Sequence, residues 1–147
     1  GRVAIGLGGH KTKAFPEKIT GIKVGRKLKA LYFMHAASYD PKNGDEIIRY
    51  VINCNGGKQF IIPVNSCAQI GDWWTPAVLP DAKLVKTESG DHQVGLYVMK
   101  WNNQFDRSVT GVIAEEQLDY YVIESIDIYA SGKAGSCAIL GISGEER

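Results

Sequence analysis

Hydrophobic and polar residues alternate along most of this chain with a period of two, which is the pattern of β-strands that bury one face. The clearest run covers residues 48–54, where every even-numbered position is apolar. A Gly56-Gly57 pair follows, and residues 59–64 form a second apolar run. Two such runs joined by a two-glycine turn predict a β-hairpin.

Six further segments have the composition of strands, and turn residues separate them. They are residues 2–7, 21–24, 30–36, 94–101, 122–130 and 136–142. Residues 114–120 are expected to form one helical turn, and no other segment keeps a helical period over ten residues. The pattern therefore predicts an all-β fold, and the recurrence of strands with turns between them favours a β-sandwich.

The chain has 147 residues, of which 44% are hydrophobic, so we expect residues 1–147 to form a single domain. Its charge is uneven, because residues 1–31 contain eight basic and one acidic residue, whereas the remainder contains nine basic and fifteen acidic ones. We interpret the basic part as a solvated strand face, and steering of an anionic polysaccharide is the alternative. A net charge of +1 argues against nucleic acid as a partner, and no apolar run is long enough to span a membrane.

The three cysteines, Cys54, Cys67 and Cys137, cannot all pair within the chain. If Gly56-Gly57 formed a two-residue turn, the register would place Cys67 opposite Glu46, about 26 Å along the strand from Cys54. A disulfide between Cys54 and Cys67 is excluded in that register. Since no Cys-x-x-Cys unit or grouped histidines occur, we expect buried thiols with no redox role and no metal.

Sequence signatures of catalysis are missing. Residues 6–12 are rich in glycine and follow a strand-like segment, but their spacing does not match a phosphate-binding loop. Neither a Gly-x-Ser-x-Gly elbow nor a metal-binding histidine pair occurs. Glu115 and Glu116 with Asp119 are an acid-base alternative, although neighbouring carboxylates in a polar loop are usually solvated. We expect a protein without enzymatic activity, catalytic residues or a metal site.

The most distinctive segment is Gly71-Asp72-Trp73-Trp74-Thr75-Pro76. Neighbouring side chains on an extended backbone point to opposite sides, so at most one of Trp73 and Trp74 can fill a given core. An outward indole beside polar side chains suits a sugar, which has an apolar face and many hydroxyl groups. The alternative is that both rings pack, one in the core and one under a loop.

Other residues have both a binding and a structural interpretation. Asn102 and Asn103 follow Trp101 at a strand end, and their amides could bond to sugar hydroxyls or cap a turn. The turn at residues 40–46 has oxygen ligands that suit a cation such as Ca²⁺, although such turns are more often empty. His35 is expected to be buried and hydrogen-bonded between strands.

A set of short motifs runs through most of the chain. They are Phe15-Pro16, Ile19-Thr20-Gly21-Ile22-Lys23-Val24, Leu31-Tyr32-Phe33-Met34-His35-Ala36, Tyr50-Val51-Ile52 with its Gly-Gly turn, Asp72-Trp73-Trp74, Trp101-Asn102-Asn103 and Ser125-Ile126-Asp127-Ile128. Together they resemble the galactose-binding-domain-like jelly-roll modules attached to bacterial glycoside hydrolases and related polysaccharide-degrading enzymes. Two features depart from that pattern: Gly56-Gly57 replaces the usual Asp-Gly turn, and residues 106–121 look like an insertion.

The resemblance implies a noncatalytic jelly-roll β-sandwich that binds a polysaccharide or oligosaccharide and holds a parent catalytic domain in the same chain near its substrate. Such an enzyme would be extracellular or periplasmic. The ligand-binding residues that we expect are Trp73, Trp74, Asn102, Asn103, Tyr120 and Tyr121. No cofactor is required, and modules of this kind often carry a structural calcium ion. The alternative is a structural accessory domain that packs on a catalytic domain without binding glycans.

Overall fold

The computed structural model describes residues 5–7, 17–38, 42–111, 114, 117–132 and 136–146. They form eight β-strands: β1 (Ile5–Leu7), β2 (Lys18–Ser38), β3 (Glu46–Cys54), β4 (Gln59–Asn65), β5 (Lys83–Ser89), β6 (His92–Asn102), β7 (Val122–Ala130) and β8 (Ser136–Glu146). All pairs of these strands are antiparallel, and the residues described contain no α-helix. The expected all-β fold is confirmed, in the form of a curled antiparallel sheet.

Strand β2 joins two halves of this sheet. Its first part, residues 18–27, pairs with β7, and the sheet continues through β3 to β4. Its second part, residues 28–38, lies between β8 and β6, which pair in turn with β1 and β5. We call β1, β8, β2, β6 and β5 half A, and β2, β7, β3 and β4 half B. The strands expected at 21–24 and 30–36 are therefore one continuous strand.

Two β-bulges bend the first part of β2. Its register with β7 shifts twice, once at Gly21 and once at Gly25. These glycines have φ of 73° and 66°, a region that residues with a side chain rarely adopt. Among the described residues this part of β2 pairs on one side only, and the bulges interrupt its free edge, which limits pairing with another chain.

Replacement of Gly25 by alanine is expected to lower the free energy of unfolding by about 1 kcal/mol. Open space surrounds the position, so the cost comes from the strained backbone and not from a clash. Gly141→Ala is the matched control, because Gly141 also faces open space but lacks a positive φ. Urea denaturation of the two variants measures the difference, and equal effects would contradict the backbone explanation.

One hydrophobic core fills the space between the two halves. The Phe33 ring of half A stacks on the Tyr50 ring of half B, with centroids 3.9 Å apart and an angle of 23° between the planes. The same cluster includes the fully buried side chains Leu31, Ile48, Ile52, Ile70, Ile123, Ile126, Ile128 and Ile139. Because alternate residues of each strand face this core, the opposite faces of both halves point away from it.

The register expected for the β3–β4 hairpin was wrong by one residue. Ile52 lies opposite Phe60, and the loop has three residues, Asn55–Gly57. The Cys54 N–H donates to the Lys58 carbonyl at 2.7 Å and closes this loop. The observed register places the apolar even positions of both strands on the core face, whereas a shift of one residue would turn the apolar face of β4 to solvent.

Two of the three thiols are buried, as expected. Burial raises the pKa of Cys54 to about 11 and also raises the pKa of Cys137. The prediction was wrong for Cys67, which is exposed and has φ of 66°. Strand β4 ends at Asn65, so Cys67 lies in the following turn and not on the core face of a strand.

The remaining predictions agree with the structure to different degrees. Strands β6, β7 and β8 cover the segments expected for them, whereas β5 was not predicted. Residues 2–4 lie outside the described part of the chain, as do Glu115 and Glu116. Where a helical turn was expected, the Gln117 N–H donates to the Ala114 carbonyl at 3.0 Å.

Candidate functional site

The two adjacent tryptophans lie in the loop between β4 and β5, against the end of β2. The Trp73 N–H donates to the Ala37 carbonyl at 2.8 Å, and the Ala37 N–H donates to the Gly71 carbonyl at 2.9 Å. On the other side, the Gly95 N–H of β6 donates to the Trp73 carbonyl at 2.7 Å. Backbone hydrogen bonds to two strands of half A therefore fix the position of this loop.

A buried tyrosine supports the same loop from beneath. The Tyr97 hydroxyl donates to the Asp72 carbonyl at 3.3 Å and accepts a hydrogen bond from the Ala77 N–H at 3.1 Å. The ring passes so close to Gly71 that a Cβ there would lie 2.5 Å from a carbon of the tyrosine ring. Glycine is required at position 71 because the backbone rests directly on this ring.

The Asp72 carboxylate shapes the turn that presents Trp74. Its Oδ1 accepts hydrogen bonds from the backbone N–H of Trp74 at 2.8 Å and of Thr75 at 3.3 Å. This arrangement is an Asx turn, in which a side-chain oxygen takes the place of a backbone carbonyl. Asp72 therefore acts in the local structure, and its carboxylate also borders the groove beside the tryptophans.

The tryptophan rings form a corner. Their centroids are 5.4 Å apart and their planes meet at 61°; Trp73 is half-buried, whereas Trp74 is 50% exposed. The His92 ring stacks on Trp74 at 3.7 Å with an angle of 12°. The Nε2–H of His92 donates to the Trp74 carbonyl at 2.7 Å. His92 thus covers one face of the Trp74 ring, and a stacking ligand would use the opposite face.

A groove of about 730 Å³ opens beside this corner. Small residues from β2 and β8 form part of its lining, namely Ala36, Ala37 and Ala138, with Leu96 and Leu140 next to them. Polar groups come from Ser38, Asp72 and Thr75, and among the described residues of the lining Asp72 alone is ionisable. The described part of the groove therefore offers aromatic and aliphatic surface with a few hydrogen-bonding groups and no cationic side chain.

Asn103, another expected ligand-binding residue, has a structural role. Its amide nitrogen donates to the carbonyls of Leu28 at 2.8 Å and Tyr121 at 2.9 Å. Its Oδ1 accepts a hydrogen bond from the Gln104 N–H at 2.8 Å. The side chain is buried and joins the end of β6 to β2 and to the segment before β7. The amide of Asn103 therefore bonds within the chain at both its nitrogen and its oxygen, and its role in ligand binding stays a prediction.

The two tyrosines of the expected site pack on other aromatic rings. Tyr121 meets Phe60 edge-to-face at 5.7 Å, and Tyr120 lies 4.6 Å from the Phe105 ring. Asn102 is exposed at the end of β6. These residues form a second group, together with Asn103, around the loop that follows β6.

The two groups of expected residues lie at opposite ends of the second part of β2, residues 28–38. Asn102 is paired with Ala30, whereas Trp73 bonds to Ala37, seven residues further along the strand. Seven residues of extended chain span about 23 Å. The structure therefore brings Trp73 and Trp74 together at one end and Asn102, Asn103, Tyr120 and Tyr121 together at the other.

Sequence reasoning did not identify His92, Leu96, Tyr97 or Ala138 as parts of the tryptophan site. Each lies on a strand that is distant in sequence from the two tryptophans, and no local sequence motif distinguishes these residues. Gly71 was the one available signal, since a glycine directly before an Asp-Trp-Trp segment indicates close backbone contact.

His35 is buried between strands, as expected. Its Nε2–H donates to the Gln69 carbonyl at 2.8 Å, and its Nδ1 lies 2.7 Å from the Tyr50 hydroxyl, which donates to it. Burial lowers the pKa of His35 to about 4, although the hydrogen bond to Gln69 opposes this shift. His35 is therefore neutral at pH 7 and serves the core.

Three of the five basic residues that the structure describes in the basic part of the chain form ion pairs. Arg26 bonds to Glu146, Lys27 lies 3.1 Å from Asp119, and Lys29 lies 3.8 Å from Glu145. No group of three or more metal-ligating side chains occurs among the residues that the structure describes. Within these same residues, no helix is long and apolar enough to cross a membrane.

We compared the chain with models of known protein families, with curated proteins and with solved structures. None of the three comparisons gives a match.

Proposed function

We propose that this protein is a noncatalytic carbohydrate-binding module and that the groove beside Trp73 and Trp74 is its ligand site. The observation that carries the proposal is the corner of two indole rings on a groove that also presents Ser38, Asp72 and Thr75. Sugars combine an apolar ring face with hydroxyl groups, so a site of this composition suits them. The backbone bonds around Trp73 hold the site in place before a ligand arrives.

Binding would proceed by stacking and hydrogen bonding. A sugar ring stacks on the open face of Trp74, while the half-buried Trp73 forms the adjacent wall of the groove. Hydroxyl groups bond to the side-chain oxygens at the rim. Each stacked ring and each neutral hydrogen bond contributes about 1 kcal/mol, so a single site is weak and attachment to a catalytic domain increases its benefit.

The same proposal includes the family of the fold and the kind of protein that contains it. We assign the curled sheet to the galactose-binding-domain-like jelly rolls, in a module of an exported polysaccharide-degrading enzyme. The proposal requires no cofactor. A structural calcium ion of the kind found in similar modules would stabilise the fold. Asn102, Tyr120 and Tyr121, at the other end of the second part of β2, would serve a separate contact and not the tryptophan groove.

A second candidate function is docking on a catalytic domain without glycan binding. The observation that favours it is the aliphatic character of the groove, where Ala36, Ala138, Leu96 and Leu140 lie beside the indoles. Protein interfaces have apolar centres with few charges. This candidate predicts that the excised domain self-associates and binds no saccharide.

Simultaneous replacement of Trp73 and Trp74 by alanine is expected to weaken glycan binding about thirtyfold, because two stacking surfaces are lost. The measurement is a glycan array of neutral plant, anionic marine and host polysaccharides, with calcium and then with a chelator, followed by titration of the hits. Val78→Ala is the control, since Val78 is 89% exposed and outside the groove lining. Unchanged binding by the folded double variant would refute the assignment, as would a blank array with the folded parent protein.

A further inference from the structure

The tryptophan groove continues along the outward face of half A. Alternate residues of β2 share that face, so Ala36, Met34 and Tyr32 follow one another along it. A second depression of about 290 Å³ is lined by Tyr32, Met34, Val98 and Leu140. Leu140 also lines the tryptophan groove, so the two depressions are adjacent. They form one track on the surface, which we call the sheet track.

A polar aromatic cluster lies at the far end of the sheet track. The Tyr32 hydroxyl donates to a Glu145 carboxylate oxygen at 2.9 Å, and the Lys100 ammonium lies 5.5 Å from the Tyr32 ring centroid. Lys100 and Glu145 are 3.6 Å apart, and their side chains are 44% and 35% exposed. The cluster thus presents a ring, a hydroxyl, a donor and an acceptor to solvent.

The dimensions and charge of the track define its ligand. Tyr32 and Ser38 are six residues apart on one strand, which corresponds to about 20 Å. Among the described residues that line the tryptophan groove Asp72 alone is ionisable, and at the far end Glu145 lies 3.6 Å from Lys100 and 3.8 Å from Lys29, so that positive and negative charges balance along the track. A long track with aromatic rings at both ends, hydrogen-bonding groups beside them and little net charge suits an extended, uncharged chain with alternating apolar faces and hydroxyls.

We propose that Tyr32, Lys100 and Glu145 form a second subsite, and that the sheet track binds a neutral linear oligosaccharide along its length and not only a terminal sugar. This inference rests on the proposed carbohydrate-binding function. The tryptophan corner holds one sugar unit, the aliphatic middle of the track contacts the faces of the following units, and the far cluster bonds to the hydroxyls of the last one.

The test uses titration calorimetry with cello-, xylo-, manno- and galacto-oligosaccharides, from the monosaccharide to the hexasaccharide. We expect affinity for one of these series to increase with chain length beyond the disaccharide. Tyr32→Ala is expected to lower hexasaccharide affinity about fivefold and to leave the disaccharide unchanged, because one ring contact of about 1 kcal/mol is lost. Tyr32→Phe keeps the aromatic ring, so part of the increase in affinity with oligosaccharide length should remain. Ile61→Ala is the control, since Ile61 is 59% exposed on β4, in half B.

The following outcomes would contradict the proposal that the sheet track binds an oligosaccharide. If short oligosaccharides bind and affinity does not grow with length, the tryptophan groove stands as a glycan site and the sheet track fails. The track also fails if Tyr32→Ala weakens the disaccharide and the hexasaccharide equally, or neither. If no saccharide binds to the folded parent protein, both proposals fail, and sedimentation as a dimer would then assign the outward face of half A to a second copy of the chain.

Discussion

Acidification from pH 7 to pH 4 is expected to remove about 3 kcal/mol of stability through His35 alone. The imidazole is buried in the core, where the Gln69 carbonyl accepts from Nε2 and the Tyr50 hydroxyl donates to Nδ1. Burial holds the pKa of His35 at about 4, against an ordinary value of 6.5. The unfolded chain therefore takes up a proton at a pH where the folded protein resists it.

The sign of the dependence follows from this difference. Between about pH 4 and 6.5 the unfolded state binds more protons than the folded state, so stability rises with pH through that window. Above pH 6.5 His35 is neutral in both states and has no further effect. Below pH 4 it is protonated in both states, and the loss of stability from this residue is complete.

Urea denaturation of the parent protein and of His35→Gln, measured from pH 4 to pH 8, tests this expectation. The variant loses the core hydrogen bonds and is less stable at pH 7, but the histidine component of its slope between pH 4 and 6.5 should disappear. Subtraction of the two profiles removes the contribution of carboxylates common to both proteins. Parallel profiles would show that His35 does not carry the acid sensitivity.

Replacement of Gly71 by alanine is expected to destabilise the protein by about 2 kcal/mol and to disrupt the tryptophan groove. The new methyl group would lie 2.5 Å from one ring carbon of Tyr97 and 2.7 Å from its hydroxyl oxygen. Relief of this clash requires movement of either the ring or the loop. Either movement breaks the two hydrogen bonds that hold the loop, one donated by the Tyr97 hydroxyl to the Asp72 carbonyl and one that the hydroxyl accepts from the Ala77 N–H.

Unfolding midpoints and tryptophan emission report the two parts of this prediction. Movement of the loop changes the surroundings of Trp73 and Trp74, so the emission maximum of Gly71→Ala should shift. The double variant Gly71→Ala with Tyr97→Leu removes the ring that causes the clash and should cost less than the sum of the two single changes. Strict additivity would mean that Gly71 is not restricted by Tyr97.

Strands whose patterns are locally strong could be predicted from the sequence. The alternation at residues 48–54 and 122–130 corresponds to β3 and β7. The register of the first hairpin could also have been obtained, because a three-residue loop places the apolar positions of both strands on the same side, whereas a two-residue turn does not. Strand β5 escaped prediction because Lys83–Ser89 is mostly exposed and lacks a buried alternating face.

For the candidate site, the sequence indicated residue types but not their positions in the folded protein. An Asp-Trp-Trp segment indicated an exposed aromatic ring, and Trp74 is half exposed. We expected the amides of Asn102 and Asn103 beside this ring because Asn is a residue type that binds sugars. The residue type alone does not give the distance between two residues in the folded protein. Only the pairing of β6 with β2 reveals that Asn102 lies near Ala30, far from the indoles.

Because β2 belongs to both halves, it cannot pair fully until the later strands of the chain have been synthesised. Lys18 pairs with Tyr129 and Leu28 pairs with Glu146, so this early segment gains these partners only after more than a hundred further residues have been made. Until then its long edges are open to other nascent chains. Lys18, Lys23, Lys27 and Lys29 disfavour such pairing during that interval, because like charges on two such segments repel each other.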